Sequence, residues 1–126
     1  MAHPIKRATK AEQRAIQRVR RICLSLPHAT EKLAWGEPTF RVGKIFAMID
    51  THHHGADHVG VVMPAELGVQ EMLVRADPAR YYVPPYVGVK GWVGVRIDSA
   101  PDWGAVEDLL RDAYFLIAPP PTKEPR

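Results

Sequence analysis

The chain has 126 residues, 46% of them hydrophobic and 25% charged, with one cysteine, Cys23, and a formal charge of +3. That length suits one domain spanning 1–126 with its own core, since a chain of about 100–150 residues buries roughly two-thirds of its unfolded surface. The composition excludes global disorder, and the lone cysteine excludes an intramolecular disulfide and any cysteine-rich metal site. With no apolar run near the roughly 18–20 residues of a membrane span and no signal-peptide pattern, the expectation is a cytoplasmic protein.

Charge is unevenly spread. Residues 1–21 carry seven basic side chains against the single acid Glu12, a net +6; with the whole chain at +3, residues 22–126 sum to −3. A basic segment of this kind suits a polyanionic surface, and it also suits a solvated helix face.

Residues 1–8 read as a loose leader. From Thr9, a good N-cap, the helical period sets Ala15, Ile16, Val19, Ile22, Cys23 and Leu26 on one side and Lys10, Arg14, Arg18 and Arg21 on the other. This amphipathic helix stops before Pro27. The breaker-rich stretch Pro27–Pro38 predicts a loop, with at most a turn of helix over Thr30–Leu33. The runs 39–42 and 44–50 predict two antiparallel strands around Gly43, and 58–63 a third strand ended by Pro64, with the polar 51–57 segment between them.

Leu67–Ala76 has the spacing of a short helix. Tyr81–Tyr86 is proline-rich and predicts an edge strand or an extended loop. Trp92–Ile97 predicts a strand with Val93, Val95 and Ile97 on one face and Trp92, Gly94 and Arg96 on the other. A closing helix begins at Asp102, buries Val106, Leu109, Leu110, Ala113, Tyr114 and Ile117, and stops at Pro119; 119–126 reads as a tail. The order predicts an α+β domain, an antiparallel sheet with N-terminal, middle and C-terminal helices packed on it.

Three separated motifs, Leu24–Glu31, Phe40–Ala47 and Lys90–Asp98, occur in an order that resembles the MmcQ/YjbR family over about residues 10–118. The resemblance implies a bacterial domain of CyaY-like fold and a DNA-binding function of double-wing type. Many members carry a histidine before the tryptophan of the third motif and an asparagine after it, where this chain has Gly91 and Val93. The Thr51–His58 loop resembles that of a histidine-bearing branch.

Candidate sites follow from residue type. DNA binding asks for lysines and arginines on one surface, where phosphate contacts release counterions. The stripe Lys10, Arg14, Arg18 and Arg21 supplies them, with Arg41 and Lys44 about the Gly43 turn and Lys90 before Trp92. Nothing announces base-specific readout, so phosphate and shape recognition is the expectation. Trp92 would stack on a base, a ligand or an arginine if exposed, or pack in the core if buried.

His52, His53, His54 and His58, with Asp50 and Asp57, hold metal-ligand chemistry, but their spacing matches no zinc signature, so no metal site is assigned. No cofactor is assigned either, because no glycine-rich phosphate loop precedes a helix. Cys23 lies on the apolar stripe, and neither Ser25 nor Ser99 has a recognisable partner set, so the chain reads as non-enzymatic. The alternative is a small-molecule or protein-partner surface built on Trp35, Tyr82, Tyr86 and Trp92, and a third reading is a metal-binding role of the His52–His58 loop.

Overall fold

The computed structural model describes residues 8–52 and 58–119. Most of the two expected tails, and His53, His54 and Asp57 of the histidine loop, lie outside the described residues. Helix α1 spans Lys10–Leu24, and Thr9 caps it reciprocally. The Thr9 hydroxyl accepts from the Glu12 backbone N–H, and the Glu12 carboxylate accepts from the Thr9 backbone N–H. The helix buries Ala15, Val19 and Cys23, with Leu26 just beyond its end, as the apolar period requires.

The next segment corrects the sequence reading. Thr30–Ala34 is a strand, β1, and the Thr30–Leu33 helical turn does not form. It pairs antiparallel with β2, Glu37–Val42, through a two-residue turn at Trp35 and Gly36, whose φ values of +52° and +77° are those of a primed hairpin turn. Arg20 of α1 fixes β1 with a bidentate pair of hydrogen bonds, 2.8 and 2.6 Å, to Glu31.

Strand β3 is Lys44–Thr51 and β4 is Val59–Met63, every residue of which is buried. Between Phe40↔Ala47 and Arg41↔Ile45 the register slips, leaving Phe46 as an extra residue in β3. Its ring packs edge-on against Tyr114 at 5.4 Å. Helix α2, Val69–Ala76, leads to the two-residue β5, Tyr81–Tyr82. A 3₁₀ turn over Gly88–Lys90 then precedes β6, Val93–Arg96, and α3 closes the chain as Trp103–Ile117, capped by Asp102.

The sheet order is β1-β2-β3-β4-β6-β5, with each adjacent pair antiparallel, so β6 is inserted between two strands that precede it. Strand alternation gives the sheet two unlike faces. One carries Phe40, Ile49, Val61, Val93, Val95 and Ile97 into a single core with α1 and α3. Each such buried aliphatic or aromatic side chain contributes about 1.5–3 kcal/mol of burial free energy. The other face carries two cross-strand rows: Thr39, Met48, Val62, Gly94 and Tyr82 in one, Asp50, Gly60 and Arg96 in the next.

Candidate functional site

Three of the expected cations come together. Arg14, Arg18 and Arg21 line a groove of about 390 Å³ between α1 and the connection from β6 to α3. Arg18 lies over the Trp103 ring, 4.7 Å from its centroid, so the arginine–indole stack invited at Trp92 is made at Trp103 instead. No carboxylate among the described residues pairs with these three arginines. Asp98, also in the groove, is matched by two hydrogen bonds of 3.1 and 3.0 Å from Arg96. Burial works to raise the Asp98 carboxyl, but Arg96 and the backbone outweigh it and hold it below its ordinary value.

The other expected positions lie apart. Lys10 is exposed in the first turn of α1 and extends the stripe. Lys44 opens β3 and Lys90 precedes β6; because β4 ends where β6 begins, at Met63↔Val93, both lysines sit beyond the same end of the sheet. Arg41 turns to the face opposite the helices, where its Nε donates to the Thr39 hydroxyl at 3.2 Å. Trp92 is half-buried, and its carbonyl accepts from Gln70, which also donates to the Gly88 carbonyl and so holds the Lys90 turn on α2.

The helix-free face holds a cluster that residue-type reasoning missed. Tyr82 lies across Gly94 and Gly60, where any Cβ would collide with its ring or hydroxyl, and its hydroxyl reaches Asp50. Burial first, and then the Asp50 charge, push the phenol far above its ordinary value. His58 packs on the Tyr82 ring at 4.6 Å, and its Nε2 is buried 3.6 Å from Asp50 Oδ2. Glu37 accepts from the Thr51 backbone N–H and is pushed up mainly by burial, with Asp50 adding to the shift.

Of the histidine loop, His52 turns to Glu12 of α1, 3.3 Å away, and His58 to Asp50 and Tyr82. Among the described residues no group of three or more histidines, cysteines or acids could hold a metal ion. Burial raises the Cys23 thiol to about 12, so it carries no useful thiolate. No helix among the described residues is long and apolar enough to cross a membrane.

Helices on one face of an antiparallel sheet, with an arginine groove at their margin and a polar cluster on the free face, define an α+β domain. Residues 24–116 match the family model described as YjbR, and the chain belongs to that family. The crystal structure of Deinococcus radiodurans protein DR2400, with the family domain DUF419, shares the fold: the TM-score is 0.69 at 23% identity, covering 81% of this chain and 77% of that one. No curated protein matches the chain in sequence.

Proposed function

We propose that this chain is a cytoplasmic, non-enzymatic DNA-binding protein that reads phosphate position and duplex shape through the helix layer. The observation that carries the reading is the groove shared by Arg14, Arg18 and Arg21, none of them engaged by a described carboxylate. Arginines at i, i+4 and i+7 follow one side of a helix, so a phosphodiester backbone laid along α1 meets successive guanidinium groups. Lys10 lengthens that track, and Lys44 and Lys90 offer further cations at the sheet end. Arg41 belongs to the other face and takes no part.

The test is a salt titration with a short duplex, read by fluorescence anisotropy. Affinity falls with salt at a log–log slope of about −0.9 per phosphate contact, so Arg14→Gln with Arg21→Gln flattens the slope by about two units at unchanged melting temperature. Arg41→Gln serves as the control and leaves the slope alone. A double variant whose slope equals the parent's overturns the reading.

A further inference from the structure

A cavity of about 550 Å³ opens on the sheet face opposite the helices, within the range of about 300–1,000 Å³ typical of small-molecule sites. Met48, Val62 and Pro85 give it apolar walls. Its rim carries Trp35 and Tyr86, which are 80% and 77% exposed. Both aromatic residues have left-handed backbone, at φ +52° and +66°, a conformation that is strained for bulky side chains and clusters at ligand clamps.

The chemistry of the lining selects a class of ligand. Glu37 and Asp50 are the carboxylates that line it, and no lysine or arginine does. Aromatic faces at the mouth attract positive charge through their quadrupoles, and carboxylates between apolar walls add to that attraction. A hard metal ion asks for about six oxygen ligands, which two carboxylates among methionine, valine and proline do not offer. Alkyl groups, by contrast, gain from those walls.

We propose that this cavity binds a small organic cation of the alkylammonium class, its alkyl groups against Trp35 and Tyr86 and its charge above Glu37 and Asp50. The site is independent of the phosphate-binding groove, which lies on the helix layer.

The experiment compares choline with its neutral carbon isostere, 3,3-dimethylbutan-1-ol, by titration into the isotopically labelled full chain. Choline is expected to shift the Trp35 indole N–H and the amides of Met48–Asp50 and Tyr86, and to bind about tenfold more tightly than the isostere. Trp35→Ala, at an exposed turn, weakens choline by about three- to tenfold. Glu37→Gln, which keeps an oxygen acceptor for the Thr51 N–H, also weakens it. Equal binding of the two probes, shifts confined to α1, an unaffected Trp35→Ala, or no shift at millimolar choline each overturn the proposal.

Discussion

The Tyr82 hydroxyl donates to Asp50 Oδ2 at 2.7 Å, although the two residues are separated in the sheet by β6 and β4. The bond spans that width because the strands between them present Gly94 and Gly60 under the ring. Burial, and then the Asp50 charge, push the Tyr82 phenol far above its ordinary value, so it is neutral and able to donate at neutral pH. Removing the donor leaves a carboxylate that is 7% exposed short of its strongest described partner. Tyr82→Phe therefore lowers stability by about 1–3 kcal/mol, as measured by denaturant unfolding at unchanged m-value.

The glycines themselves are a second point of test. Gly94→Ala places a methyl group where the Tyr82 ring lies, and forcing an atom into a packed contact costs about 1–3 kcal/mol. The same substitution in a Tyr82→Ala background meets no ring, so its cost shrinks. A double-mutant cycle that comes out additive would place the penalty in the strand backbone instead.

Legibility differed between the elements for physical reasons. Both long helices were readable because each has a side-chain cap at its start, Thr9 or Asp102, and an unbroken apolar period. The Gly43 hairpin, β4 and β6 were readable from their alternating or continuous apolar runs. Strand β1 was not, since Thr30, Glu31, Lys32 and Leu33 are all exposed at the sheet edge and carry no burial pattern. Its turn also lacks the Asn-Gly or Asp-Gly signal, with Trp35 in the place such turns usually give to a small polar residue. Of the candidate cations, the i, i+4, i+7 stripe could be placed on one face from spacing alone, whereas the direction of Arg41 depended on the register of β2. The Glu37, Asp50, His58 and Tyr82 cluster was out of reach because its members come from four separate segments. Its trace was the pair of strand-interior glycines, Gly60 and Gly94, a residue type that in a strand often marks close approach of another group.

Glu37 supplies a pH test with a definite sign. Its folded-state carboxyl is raised above the ordinary 4.5, mainly by burial and further by Asp50, so the folded protein holds that proton more tightly than the unfolded chain does. The stabilisation is fully present below about pH 4.5 and is lost as pH rises through the raised value. Glu37→Gln removes the charge and keeps the acceptor for Thr51. The variant is expected to melt above the parent at pH 8, by a few degrees, with the gap closing towards pH 4. Melting curves across that range check it, and a gap that widens on acidification would count against it.

The insertion of β6 between β4 and β5 sets the order in which the domain can be completed on a ribosome. Synthesis delivers the chain N-terminus first, so α1 and the β1–β4 meander emerge as neighbours in sequence and in space. Strand β5 emerges next with no place to dock, because its partner in the sheet, β6, is still to be made. Until β6 slots in against β4, the Asp50 carboxylate faces water and the Tyr82 ring has no glycine floor to lie on. The nascent first half thus leaves the β4 edge unpaired and the Phe40, Ile49 and Val61 face uncovered until β6 and then α3 are delivered, so the growing chain is most prone to wrong pairing just before its last strand arrives.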